Sequence, residues 1–191
     1  MRFLQLLLEI LLRIQSALSL PLSVFGAFGT DYPVSEKTTY IFGQARLSGK
    51  RLYLAPAELC ACEVAAVYNA LIFLGRPRGF DEVKRAYFRL GALALWPFGF
   101  FGGNPFSIKR VLKSFGIEAK SVSEKSLFED GCYIVSFWNG AKKLSLHTVF
   151  VTVCGGEKRA YNLFGRDAAP RRFEPASRHG LYIRCVRIFA R

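Results

Sequence analysis

The chain has 191 residues, 51% apolar and 21% charged, a composition that supports one substantial core and excludes a disordered chain. Its formal net charge of +13 favours anionic partners, an acidic peptide or an anionic membrane surface; no nucleic-acid-binding motif accompanies the charge, which disfavours DNA and RNA. Five scattered cysteines and two histidines exclude a disulfide framework and a zinc site, because "CAC" is one residue short of the usual CxxC pair; no metal or other cofactor is expected.

The chain opens with "MRFLQLLLEILLRIQSALSLPLS". Glu9 and Arg13 interrupt the apolar run, leaving it too short and too polar to span a bilayer. Arg2, Gln5, Glu9, Arg13 and Ser16 recur every three or four residues and draw one narrow polar stripe on a helix that is otherwise apolar. Such a helix packs into the domain, lies flat at a membrane surface, or belongs to a cleaved signal segment. We divide the chain into this helix with its linker, residues 1–30, and one domain, residues 31–191. The expected location is the cytoplasm, with peripheral attachment to a membrane.

Short extended pieces, "TTYIFG" and "RLYLA", precede a helix over "ELCACEVAAVYNALIFLG", which stops at Gly75 with Pro77 behind it. A second helix follows in "DEVKRAYFRLG", with Asp81 placed to cap it and Gly91 to end it. "WPFGFFGGNP" is a loop by its Gly and Pro content, and an unusually aromatic one. Asn104 caps the helix "PFSIKRVLKSFG", with Pro105 at its first position and Gly116 at its end. Beyond Gly116 the apolar period changes to two. "IEAKSV", "CYIVSFW", "LHTVFVTVC", "RAYNLF" and "LYIRCVRIF" are strands, and "CGGEK" is the tight hairpin between the third and fourth. Helices followed by an antiparallel sheet make an α+β fold. Basic residues crowd its C-terminal part: from Glu157 to Arg191 there are nine Lys/Arg against three Asp/Glu.

Cys62 stands where the central helix begins. Backbone N–H groups there carry a partial positive charge of about half a unit, which favours thiolate over thiol. A nucleophilic thiolate also needs a base and a group to orient it. His147 lies on "LHTVFVTVC", on the face of Val149 and Val151, and Asn162 lies one strand on, so paired strands can bring imidazole and amide together. Each residue also has an ordinary structural role: cysteine is among the most buried residue types, and Asn before a loop is commonly a turn residue.

Together, "CEVAAVYNALIFLG", "GGNPFSIKRVLKSFG", "YIVSFWN", "LHTVFVTV" and "AYNLFG" resemble the bacterial papain-like cysteine peptidases of the C39-like group, over about residues 40–165. That group includes leader-peptide-cleaving domains of bacteriocin exporters and stand-alone relatives. The resemblance implies a papain-like fold, with Cys62 as nucleophile, His147 as general base and Asn162 as orienting residue. It also implies a peptide or protein substrate, cleaved through a thioester on Cys62. Two departures stand out. The family carries Gln shortly before the nucleophile for its oxyanion hole, whereas this chain reads "LAPAELCA", and its nearest preceding glutamine is Gln44. The residue after the nucleophile is Glu63, whose carboxylate would oppose thiolate formation if it faced the sulfur. An acyltransferase and a catalytically inactive papain-like binding module are the alternatives. Cys60 is taken as a bystander, Cys132, Cys154 and Cys185 as sheet residues, and His179 as an exposed turn residue.

Overall fold

The structure, a computed structural model, describes residues 2–26, 39–53, 55–95, 101–138, 146–174 and 181–189. A long helix α1 (Arg2–Gly26) comes first, then a 3-10 turn (Gln44–Leu47) and the short strands β1 (Arg51–Leu52) and β2 (Ala55–Pro56). A one-turn helix α2 (Ala57–Cys60) leads into the central α3 (Cys62–Phe73), followed by α4 (Phe80–Arg89). The ribbon β3 (Leu93–Ala94) and β4 (Gly102–Gly103) and a 3-10 turn (Pro105–Ser107) precede α5 (Ile108–Ser114). The strands β5 (Glu118–Val122), β6 (Gly131–Trp138), β7 (Leu146–Cys154), β8 (Glu157–Tyr161), β9 (Arg171–Arg172) and β10 (Leu181–Phe189) complete the chain. The result is a mixed helix-and-sheet architecture of α+β type.

Helix α3 is buried on every side, with every residue from Cys62 to Leu71 out of solvent and all but a few of them apolar, Glu63 and Asn69 among the exceptions. It rests on one face of a six-stranded antiparallel sheet of order β5-β10-β6-β7-β8-β9. The strand period of two divides the sheet's residues between its faces. Register pairs Ser136 with Thr148 and Ile134 with Phe150 on the α3 side; Phe137 with His147, Val135 with Val149 and Tyr133 with Val151 face the other way. Each face has its own apolar cluster, and a third, around Leu12, Ala94, Leu146 and Ile183, lies beneath α1. Much of the aromatic content goes into the α3 side, where Phe150 meets Phe73 at 5.5 Å and Tyr161 at 5.2 Å between ring centres.

The local signals behave as their chemistry requires. Asn104 caps through its side chain, which accepts from Phe106 N–H at 2.9 Å, although the first turn behind Pro105 is 3-10. Gly155 and Gly156 take φ of 57° and 81°, the left-handed pair of a two-residue hairpin between Cys154 and Glu157. Asp81 does not cap α4. The cap is Gly79, and Asp81 lies inside the first turn, where its carboxylate pairs with Lys84 at 3.3 Å. The stretch 96–100 of the aromatic loop and residue His179 fall outside the described residues.

Candidate active site

The helix expected over residues 58–75 is broken at Ala61, so that Cys62 begins α3, and Cys62 is 2% exposed. The thiol donates to Glu63 Oε2 at 3.1 Å, with a longer contact of 3.9 Å to the Leu146 carbonyl. Glu63 is wholly buried, and Thr148 Oγ1 donates to its other oxygen at 3.1 Å. Thr148 in turn shares a 2.9 Å hydrogen bond with Ser136, its partner across the β6–β7 ladder. A polar chain of Cys62, Glu63, Thr148 and Ser136 therefore runs through the contact between the start of α3 and the sheet.

Electrostatics follow from that burial. Removal from water pushes Glu63 up to about 8; hydrogen bonds from Cys62, from its own backbone, from Thr148 and from the Gly103 backbone pull it down only in part. Burial also drives the Cys62 thiol well above its ordinary value, and the adjacent Glu63 carboxyl adds to the rise; the hydrogen bond from the Thr148 backbone opposes it. Burial first, and the carboxyl beside the sulfur second, thus oppose the helix-end field that favours thiolate. Cys60 is buried as well, donates to the Pro56 carbonyl at 3.0 Å, and is held at about 12.

The ribbon β3–β4 closes over this cluster. A Cβ on Gly102 would lie 1.4 Å from the Cys60 carbonyl oxygen, and Gly102 has φ of +82°. A Cβ on Gly103 would lie 2.7 Å from both Glu63 Cβ and Tyr87 Cε1. Tyr87 completes the packing by donating its hydroxyl to the Glu63 carbonyl at 3.2 Å.

His147 on β7 meets Asn162, which lies just past the end of β8 rather than on it. The contact is 2.7 Å from His147 Nε2 to the backbone carbonyl of Asn162, so Nε2 carries the proton and donates. Asn162 reaches this position with φ of +66°, a left-handed conformation that Asn tolerates. Its amide Nδ2 donates to Gln44 Oε1 at 3.3 Å, and its amide oxygen, the atom an orienting residue would turn to the ring, is buried with no partner among the described residues. Gln44 is buried too, and its own amide donates to the Ala57 carbonyl at 3.0 Å. His147 stands on the sheet face that carries Val149 and Val151, opposite the face that carries Thr148 to Glu63. Glu63, Thr148, Leu146 and Cys60 are among the groups that act on the Cys62 sulfur.

The chain matches no protein-family model and no curated protein. Hydrogen bonds link Gln44, Asn162 and His147, and others link Cys62, Glu63 and Thr148. Sequence reasoning did not single out Asn69. This buried α3 amide accepts from Ile41 N–H and donates to Ile41 C=O, both at 2.8 Å, and Asn162 N–H reaches the next carbonyl, Phe42, at 3.0 Å. Asn69 thereby fixes the extended segment that leads into Gln44. Its signal was a carboxamide in the middle of an otherwise apolar helix, which demands partners when buried. Thr148 and Ser136 gave no comparable signal, since both are ordinary strand residues.

Proposed function

We infer that the chain is a papain-like module of the C39-like type that binds a peptide or protein ligand without turnover, with Cys62 serving as a structural hydrogen-bond donor. The observation that supports this reading is the Cys62 thiol donating to the buried Glu63 carboxyl. A thiol nucleophile must ionise, and burial, the adjacent Glu63 and Cys60 all oppose ionisation of Cys62, against the Thr148 hydrogen bond and the helix-end field. An adjacent carboxyl that keeps its own proton until about 8 cannot take the thiol proton below that pH, and above it the carboxylate's charge opposes a thiolate beside it. The peptide class of ligand rests on the family resemblance.

One observation favours a hydrolase instead. Donation from His147 Nε2 to Asn162 leaves Nδ1 as the basic nitrogen of the neutral ring, the tautomer that a base for a thiol would need. That reading requires Cys62 to leave Glu63 and present its sulfur on the His147 side of strand β7.

The two readings separate on treatment of the native chain with peptidyl vinyl sulfones, with a mixed peptide library as substrate. A binding module gives no adduct on Cys62 and no cleavage. Cleavage that disappears in Cys62→Ser and in His147→Ala would establish the hydrolase.

A further inference from the structure

Helix α1 is mounted with its polar side inward. Gln5 donates to the Ile183 carbonyl at 3.0 Å, Ser19 Oγ accepts from Leu95 N–H at 2.8 Å, and Ser16 Oγ accepts from the Asn104 amide at 3.3 Å. With Leu8 and Leu12 these residues recur at the spacing of one helix face, and that face is the docked one. The opposite face presents Phe3, Leu6, Leu7, Ile10, Ile14 and Leu18 to solvent; Phe3 is 75% exposed and none of the six is below 43%. From Phe3 to Leu20 this apolar stripe runs for about 25 Å at the helical rise. A hydrophobic surface of that length on a helix otherwise fixed to its domain marks an interaction site.

Charge along its edge indicates what covers it. Arg13, on α1 and paired with Glu9, shares a cleft with Leu20 and with Arg110 of α5. Arg110 then borders a second cleft, lined also by Lys109, Lys113 and Lys120, with Glu118 as its carboxylate. Lys109, Arg110, Lys113 and Lys120 are all exposed. An apolar helix face flanked by a cationic edge matches the interface of an anionic bilayer, where acyl chains meet phosphate headgroups. Two copies of the chain, each at +13, would instead bring like charges together along this edge. No helix among the described residues is long and apolar enough to cross a membrane, so α1 would lie in the interface plane.

We propose that the outer face of α1, together with the basic α5 edge, docks the protein on an anionic lipid surface. The proposal is independent of whether Cys62 is a nucleophile.

Flotation of the full chain with phosphatidylglycerol-containing vesicles and with phosphatidylcholine vesicles tests it. The expected result is binding to the anionic vesicles alone, weakened by added salt. Leu7→Gln combined with Ile14→Gln lowers that binding more than about tenfold, with an unchanged melting temperature because both side chains face solvent. Lys109→Gln combined with Lys113→Gln lowers it about tenfold or more. Absence of binding to anionic vesicles, or equal binding to neutral ones, overturns the proposal. So does a stable dimer, seen by light scattering, that the Leu7 and Ile14 substitutions dissociate.

Discussion

Glu63 is a carboxyl removed from water, and among the described residues no ion pair includes it. Its hydrogen bonds to Cys62, Thr148 and Gly103 replace hydration, and the proton completes the compensation. Because folding raises this group from 4.5 to about 8, the folded chain holds a proton that the unfolded chain releases. Its contribution to stability is therefore complete below the unfolded value and is lost as pH rises toward the folded one. Each tenfold gain in proton affinity on folding corresponds to about 1.4 kcal/mol. The melting temperature of the native chain is expected to fall between about pH 5 and about pH 8, and Glu63→Gln to flatten that fall. A profile of equal slope in the Gln variant would mean that Glu63 is ionised throughout. The neighbouring "CE" dipeptide was visible in the sequence, and so was the cost of a carboxyl aimed at the sulfur. Only the fold decides where the carboxyl points.

At the scale of elements, the ribbon β3–β4 and the start of α3 form a close backbone contact that only glycine permits. Gly102 and Gly103 stand in a stretch whose Gly and Pro content reads as loop, yet they pair as a strand with Leu93 and Ala94. Composition reports conformational freedom; it does not report that another backbone lies within a Cβ's reach. Gly102→Ala meets both the Cys60 carbonyl and a left-handed φ, and should destabilise the chain by about 3 kcal/mol or more in denaturant unfolding. A loss below about 1 kcal/mol would show that the ribbon can lift away from α3. Helix α1 illustrates a second limit of the sequence. Its polar stripe is plain in the periodicity, but a stripe does not say whether water or the domain receives it. Gln5 and Ser16 turn to the domain, while Glu9 and Arg13 stay at the rim.

Across the whole molecule, helix-then-sheet order and the change to a strand period were legible, because the helices before Gly75, Gly91 and Gly116 carry stop signals and the apolar period shortens after Gly116. Insertion of β10 between β5 and β6 was not, since strand order depends on long-range pairing that local pattern does not encode. The candidate site divides along the same line. The "CGGEK" hairpin suggests adjacent strands for His147 and Asn162; Asn162 instead follows the end of β8 in a left-handed conformation, and His147 meets its backbone carbonyl, not its amide. Whether Cys62 joins them depends on which sheet face each residue takes relative to α3. The alternation sets Thr148, not His147, toward the helix. The most direct measurement is alkylation of the native chain by iodoacetamide across pH, with each cysteine followed by peptide mass spectrometry. A structural Cys62 reacts more slowly than the exposed Cys154 at every pH at which the chain stays folded, and His147→Ala leaves its rate unchanged. Selective reaction of Cys62 below about pH 7, lost on removing His147, would contradict the account and establish a thiolate–imidazole pair.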